Sequence, residues 1–254
     1  MSTYLKDEPP TAILSSLPEP RSSFLYRTPP IYPRELLQTV LPVDFQPPVL
    51  PVIAAPAVLP VSHGMVCETA ARLLFMNIKW AKRVPAFQTL SSEDKTILLE
   101  HSWSVLFILS ASQHFASWEL SDFLTTVGAD LADDVVNEAR IFQAILTQLR
   151  AMHLDNMEYA ILRAVVLFKT SRPSDLRGLR DVAAVSTLED QAQLSLGSYI
   201  HTTYPKEPIR FGKLLLILPT LTAVTGRTIT NVFFRETIGA TPIERLINDI
   251  YEST

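Results

Sequence analysis

Proline is distributed so unevenly along this 254-residue chain that it divides the chain into two parts. Thirteen of the 19 prolines precede residue 65, whereas only one of the seven glycines does. Because proline fixes φ and removes a backbone donor, the run FQPPVLPVIAAPAVLP cannot form a helix or a central strand. We therefore predict a proline-rich, disordered linker over residues 1–65 and a folded domain over residues 66–254.

Beyond residue 65 the apolar residues recur at helical spacing, and several helices begin with the same local pattern. Each of these starts places Ser, Thr or Asp three residues before an acid, at Ser91, Asp155, Ser186 and Thr241. This is the spacing of a capping box or a close variant of it. Glycine is too scarce for a fold rich in sheet and tight turns. We predict an all-α fold with a small hairpin or loop near 118–134 and helices at 66–84, 91–117, 135–152, 155–170, 186–203, 206–236 and 242–251.

Composition argues against several classes of protein. A net charge of −4 and a pI near 5.8 give no electrostatic footprint for nucleic acid over the whole chain. The single cysteine, Cys67, excludes an intramolecular disulfide and a cysteine-based zinc module. We find no secretory signal, and the apolar run LLLILP is far too short to span a bilayer. We expect an intracellular protein without a structural metal or a membrane span.

A dense set of positions between residues 80 and 99 resembles one known family. The spacing runs Trp80-Ala81-Lys82, Phe87, Leu90, Asp94-Lys95 and Leu98-Leu99. It resembles the signature of the nuclear-receptor ligand-binding domain, which joins the end of the third helix to the fourth and fifth. RFGKLLLILPTL at 210–221 is similar to the dimerisation helix of the retinoid-X-receptor branch, and TPIERLINDIY is similar to its last helix. Within the family, ETAARLLFMNIKWAKRVPAF most resembles the Tailless group, with the photoreceptor-specific receptor second.

The resemblance implies a three-layer antiparallel α-helical sandwich and a regulator of transcription in the nucleus, not an enzyme. The implied activity is that of an orphan receptor that needs no ligand, and its implied partners are corepressor peptides of the atrophin type. Receptors of this type also carry a DNA-binding domain with two zinc sites of four cysteines each. Because Cys67 stands alone, we expect that domain and its zinc to be missing. DNA would then be reached only through a partner or the missing domain.

The resemblance also implies a partner for Lys82. In the family, a lysine at this place and an acid in the terminal helix hold a short amphipathic helix by its two ends across an apolar groove. The lysine meets unsatisfied carbonyls and the acid meets free amides. A simpler interpretation is that Lys82 only offsets the dipole of its own helix. The groove residues carried over by position are Phe75, Ile78, Lys82, Phe87, Lys95, Leu99, Leu246, Asp249 and Ile250.

Two further surfaces are implied by the resemblance. The 206–236 helix, which we expect Pro219 to kink, would supply a homodimer interface or one with another nuclear receptor, at Lys213, Leu216, Ile217 and Thr220. His114 occupies the position where retinoid receptors hold a carboxylate-binding arginine, and a neutral imidazole cannot supply the bidentate clamp of a guanidinium. The ligand pocket could instead be filled by Phe107, Phe115 and Trp118.

Three alternatives remain open from the sequence. Asp130, Asp133 and Asp134 form an acidic cluster that superficially resembles the magnesium motif of helical isoprenoid synthases. Their order differs from that motif and no second motif occurs, so solvated loop acids are the better interpretation. A ligand-activated receptor is a second alternative. A third is a receptor-like protein that sequesters partners without reaching DNA.

Overall fold

Helices account for all the regular structure in the part of the chain that the computed structural model describes, residues 34–42, 63–115, 131–170 and 178–253. All of these residues belong to one unit, residues 32–254. The prediction of an all-α fold is confirmed. In chain order the elements are α1 (Arg34–Val40), α2 (His63–Arg83), α3 (Pro85–Thr89), α4 (Ser92–His114), α5 (Asp133–Ala151), α6 (Asn156–Leu167), α7 (Val182–Thr203), α8 (Arg210–Leu221), α9 (Gly226–Ile229), a π-helical turn (Thr230–Phe234), α10 (Arg235–Ile238) and α11 (Ile243–Ser253).

Helices α4 and α6 form the middle of the fold, because they are buried nearly all round. Every residue of α6 from Glu158 to Leu167 is buried, and so is every residue of α4 from Val105 to Ser112. Helix α4 packs against α2, α5 and α6, and α6 packs in turn against α7. A helix without a polar face needs neighbours on all sides. The helices therefore stack in layers, as the α-helical sandwich requires.

Side-chain hydrogen bonds explain where the helices begin. Ser91 caps α4, and Asp155 and Glu158 form a complete capping box for α6. Each bond satisfies a backbone N–H that has no partner inside the helix. The start predicted at Ser186 is wrong, because Asp181 already caps α7 and Ser186 lies inside the helix.

The single helix predicted over 206–236 is interrupted. Pro219 has no N–H, so it cannot make the helical hydrogen bond of its position. The backbone N of Thr222 donates to the carbonyl of Pro219 at 3.2 Å, a three-residue step that ends α8. The backbone N and the hydroxyl of Thr225 then both donate to Glu138 at 2.8 Å. The expected kink is therefore a break, and α9 starts anew beyond it.

One helix lies inside the segment predicted to be a disordered linker. Helix α1 packs against α3 and α7. Val40 is fully buried and Leu41 is 4% exposed. These two side chains explain why a proline-rich stretch holds a helix here, since burial of apolar surface favours ordered packing. The domain boundary at residues 65 and 66 stays a prediction.

Some predictions concern residues outside the described ranges. The hairpin or loop expected near 118–134 lies mostly outside them, as do Trp118 and Asp130. Of the helices that are described, none has both the length and the apolar character to cross a membrane.

Candidate functional site

The groove implied by the resemblance lies where α2 ends, α3 turns the chain and α4 begins. Pro85 ends the run of α2 and starts α3. Lys95, in the first turn of α4, is half-buried. Phe75 is 38% exposed, and its ring faces solvent with the Nζ of Lys79 4.5 Å from its centroid. Three of the predicted residues are at most 1% exposed and form an apolar floor: Ile78, Phe87 and Leu99.

The terminal helix of the same chain lies against this groove. Helix α11 packs against both α2 and α4. Ile247 is fully buried and Ile243 is 5% exposed, whereas Leu246 and Ile250 are partly buried against the core. A helix of this length is marginal in isolation, so these contacts are what stabilise it. The groove therefore holds an amphipathic helix, and that helix is the chain's own.

Lys82 contacts the last turn of this helix in two ways. Its Nζ donates to the backbone carbonyl of Tyr251 at 2.8 Å, and it lies 5.0 Å from the centroid of the Tyr251 ring. The ring of Phe87 meets the same tyrosine edge to face, with centroids 6.3 Å apart. The last carbonyls of a helix lack partners inside it and carry partial negative charge. Lys82 thus caps α11 as well as lying near the end of its own helix.

Two neighbouring polar residues of α11, Asp249 and Asn248, lie in different surroundings. Asp249, predicted to hold the N-terminus of a partner helix, is exposed. The residue before it, Asn248, donates through its side chain to a carboxylate oxygen of Glu100 on α4 at 3.0 Å. Lys82 and Glu100 therefore both make polar contacts with this helix.

Phenylalanine side chains fill the interior between α4, α5 and the π-helical turn. The ring of Phe233 lies 5.3 Å from that of Phe107, 5.6 Å from that of Phe142 and 6.2 Å from that of Phe115, measured between centroids. All four rings are at most 2% exposed. Two of the rings expected to fill a ligand pocket, Phe107 and Phe115, therefore belong to a packed aromatic cluster.

His114, the position implied for a ligand contact, is engaged with the backbone. Its Nδ1 lies 2.8 Å from the carbonyl oxygen of Ser110, one turn earlier in α4. This nitrogen then carries the hydrogen, because a carbonyl can only accept. The residue is half-buried at the end of α4.

The π-helical turn sets the positions of the aromatic side chains that come after the break at Thr225. It spans Thr230–Phe234 and contains two adjacent buried phenylalanines, Phe233 and Phe234. Phe234 also meets Phe107, edge to face at 5.8 Å. A π turn inserts one extra residue per turn and thereby rotates the next part of the helix about its axis. Two consecutive side chains are in this way brought into the same cluster.

The predicted dimer residues do not all face outward. Leu216 is 76% exposed, and Lys213 and Thr220 are exposed as well. Ile217 is only 3% exposed and belongs to the core, so it cannot meet a partner without rearrangement. A single exposed leucine is common on protein surfaces. Ile209, directly before α8, is nevertheless 64% exposed.

A buried ion pair fixes the start of α8. Arg210 donates to Glu158 through Nε at 2.5 Å and through Nη2 at 2.7 Å, and the Glu158 side chain is fully buried. The guanidinium also lies 4.4 Å from the centroid of the Tyr204 ring. Two parallel bonds to one carboxylate give both direction and strength. Arg210 therefore locks the candidate dimer helix to α6.

Asp155, the cap of α6, joins the same network. The hydroxyls of Tyr199 and Tyr204 both donate to it, at 2.8 and 2.7 Å. Burial alone would raise the pKa of Asp155, but its hydrogen bonds outweigh burial and hold that pKa below its ordinary value. Burial and the bond to Asp155 raise the pKa of Tyr199 to about 12. These groups keep their charge states across the physiological range.

Two of the three acidic residues considered for a metal site belong to the N-terminus of a helix. Asp133 and Asp134 lie exposed in the first turn of α5, where acids oppose the positive end of the helix dipole. Asp134 also lies 3.7 Å from Arg227. Across the described ranges, no group of three or more metal-ligating side chains comes together.

Several residues of this site were not predicted. Tyr251 lies four residues after Ile247, which lies four after Ile243, so helical periodicity could have found it. Glu100 and Arg210 could not have been found that way. Their partners lie 148 and 52 residues away along the chain.

Comparison with known proteins matches most of the chain to one family. Residues 58–238 match the ligand-binding domain of nuclear hormone receptor. The chain is 42% identical over 192 residues to steroid receptor seven-up, isoforms B/C, of Drosophila melanogaster. It is 38% identical to nuclear receptor subfamily 2 group F member 5 of Danio rerio and 40% identical to group F member 6 of Mus musculus, each over 192 residues.

These relatives are longer than the matched region. Each alignment covers 73% of this chain but only 35%, 47% and 48% of the respective relative. The chain therefore spans about half the length of the two group F relatives, and less of the first. The expected assignment to the Tailless group is not supported, because these relatives are seven-up and members of group F.

Proposed function

Because this chain belongs to the nuclear hormone receptors through their ligand-binding domain, we propose that it regulates transcription in the nucleus by binding partner helices in the groove of α2, α3 and α4. One observation carries the proposal. Lys82 donates to the Tyr251 carbonyl in the last turn of an amphipathic helix that packs against α2 and α4 and buries Ile243 and Ile247. The occupant here is α11, and a partner helix with the same features would meet the same groups. The family is one of receptors, so the chain is not an enzyme.

We assign the chain a repressing role. A partner must displace α11 before it can bind. Its apparent affinity is therefore its intrinsic affinity multiplied by the fraction of molecules whose groove is open. The aromatic cluster around Phe233 includes Phe107 and Phe115, two of the side chains expected to fill a ligand pocket. Both features favour a default state in which the groove has low affinity for any partner helix and which does not depend on a ligand. The proposed partners are corepressor peptides, such as those of the atrophin class.

A substitution that weakens the packing of α11 in the groove is the direct test of this proposal. Ile247→Ser removes a fully buried side chain from the groove, and α11 should then undock because burial of an isoleucine contributes about 1.5–3 kcal/mol. A labelled corepressor peptide of the atrophin class should bind the variant about tenfold more tightly than the parent, or better, because more grooves are open. Fluorescence anisotropy with the full chain measures the affinity.

Arg245→Ser is the matched control, since Arg245 is exposed on the same helix. It should leave peptide affinity within about twofold of the parent, because exposed substitutions change stability by under about 0.5 kcal/mol. If Ile247→Ser and Arg245→Ser bind the peptide equally well, α11 does not compete for the groove. An LxxLL peptide titrated in parallel shows whether the opened groove prefers coactivator or corepressor helices.

We also propose that α8 forms a dimer with a second copy or with another nuclear receptor. Three outward residues support it: Lys213, Leu216 and Thr220. If Leu216 lies at the centre of the interface, Leu216→Arg buries an unpaired charge and should abolish dimers measured by sedimentation at micromolar concentration. Lys206→Ala, exposed outside α8, is the control and should leave association unchanged. If the parent sediments as a monomer, the proposed homodimer is wrong. If a dimer persists in Leu216→Arg, the proposed interface at α8 is wrong.

A further inference from the structure

The contacts of α11 show which side chains the groove can recognise, beyond the general fit of an amphipathic helix. This inference rests on the proposed function, since it assumes that partner helices use the seat of α11. Two positions of α11 make contacts that an ordinary leucine-rich helix would not reproduce. They are Tyr251 and Asn248.

Tyr251 lies between a cation and an aromatic ring. The Nζ of Lys82 is 5.0 Å from its ring centroid, and Phe87 meets the ring at an interplanar angle of 85°. An aromatic face attracts a cation through its quadrupole, and aromatic pairs favour such edge-to-face geometry. A leucine in this position would fill space against Phe87 but offer nothing to the charge. The hydrogen bond from Lys82 goes to the backbone and is available to any helix.

Asn248 faces a carboxylate. Its amide nitrogen donates to Glu100 at 3.0 Å, and both residues are half-buried. An acid in this position would place two negative charges together in a partly buried site, where their repulsion is weakly screened. The groove therefore accepts a donor here and rejects an aspartate or glutamate.

We propose that the groove selects partner helices with a particular set of side chains. Two apolar residues lie four positions apart, a neutral or basic hydrogen-bond donor directly follows the second apolar residue, and an aromatic residue lies four positions after that second apolar residue. In α11 these features are Ile243 and Ile247, Asn248, and Tyr251. The apolar pair fills the floor, the donor meets Glu100, and the aromatic ring lies between Lys82 and Phe87. The recognised partner is thus a short helix ending in an aromatic residue, not one defined by leucines alone.

A peptide series tests the aromatic preference. The probe is a labelled synthetic peptide of sequence ATPIERLINDIYEST, titrated into the full chain carrying Ile243→Ser and Ile247→Ser, in which its own helix no longer holds the groove. Changing the tyrosine to leucine should weaken binding by about three- to tenfold, the range of a partly desolvated cation–π contact. Changing it to phenylalanine keeps the ring and should change affinity less than about twofold.

Substitutions in the protein assign each effect to its partner. With Lys82→Ala added, the difference in affinity between the tyrosine and leucine peptides should shrink, since the backbone bond is lost for both and only the contact with Phe87 still distinguishes them. A peptide with aspartate in place of Asn248 should bind several-fold more weakly. Glu100→Gln should restore its binding.

Hydrogen exchange of α11 provides a second readout that needs no groove-opening variant. In the otherwise intact chain, Tyr251→Leu should speed exchange of the α11 amides about three- to tenfold, whereas Tyr251→Phe should not. Equal affinities of the tyrosine and leucine peptides, or equal exchange in the two variants, would overturn the aromatic preference and leave the proposed function standing. If no peptide of the series binds the opened groove, the proposed function and this inference fail together.

Discussion

Phe233→Ala is expected to lower the free energy of unfolding by about 3–5 kcal/mol, the usual cost of removing a fully buried phenylalanine ring. Phe233 is 2% exposed and lies against the rings of Phe107, Phe115 and Phe142. Neighbouring side chains relax only partly into such a space, so the variant should contain a cavity lined by aromatic rings. Urea unfolding followed by circular dichroism measures the loss.

The cavity also tests the proposal that packed aromatic rings, and not a ligand, fill the interior around Phe233. A dry apolar cavity binds small apolar molecules, so benzene or a similar ring compound should raise the thermal midpoint of Phe233→Ala and leave that of the parent unchanged. Phe75→Ala is the matched control, because Phe75 is 38% exposed and its removal leaves no cavity. If the two variants lose equal stability, Phe233 does not fill the interior.

Arg210→Ala should have an effect of similar size for a different reason. It leaves the fully buried carboxylate of Glu158 without its bidentate partner. Removing one member of a buried ion pair costs about 3–5 kcal/mol, because the remaining charge stays desolvated. Thermal or urea unfolding of the full chain measures the loss. If α8 forms the dimer interface, association should weaken as well, since Arg210 is the first residue of that helix.

Glu207→Ala separates this effect from the loss of a surface charge. Glu207 also pairs with Arg210, at 3.1 Å, but its side chain is 52% exposed. An exposed ion pair contributes about 0–1 kcal/mol, so this variant should be close to the parent. A small loss for Arg210→Ala would mean that water reaches Glu158 once the guanidinium is gone.

Local chemistry made much of the helical framework predictable. Ser91 and Asp155 are caps whose partners lie three residues away, so a sequence window shows them directly. The apolar run of α4 is also visible within a short sequence window, and it indicated that this helix is buried on all sides. The error over 206–236 arose because Pro219 alone indicates only a kink. The break also depends on Thr225 reaching Glu138, 87 residues away along the chain.

The groove was located by resemblance, and its occupant was not. A lysine at the end of α2 indicates that a helix end is held there, but not whose helix it is. That depends on the length and direction of the segment that joins α10 to α11, which periodicity does not report. Asp249 was placed at the groove by spacing within a motif, whereas the rotation of α11 turns it to solvent and brings Asn248 to Glu100 instead. Whether the predicted groove residues bind a partner stays a prediction.

Only four residues, 239–242, separate α10 from α11. So short a tether keeps α11 beside its groove at an effective concentration that is about millimolar for flexible linkers of this kind. The concentration of a free partner helix depends on its abundance, whereas the effective concentration of α11 is fixed by the tether. Partners that bind the groove weakly therefore cannot displace α11. Occupancy of the groove by a partner then becomes appreciable only above a threshold concentration of that partner. A partner with two binding segments can reach this occupancy where a partner with one segment cannot. Lengthening the tether with glycine and serine would lower that threshold without altering a single contact in the groove.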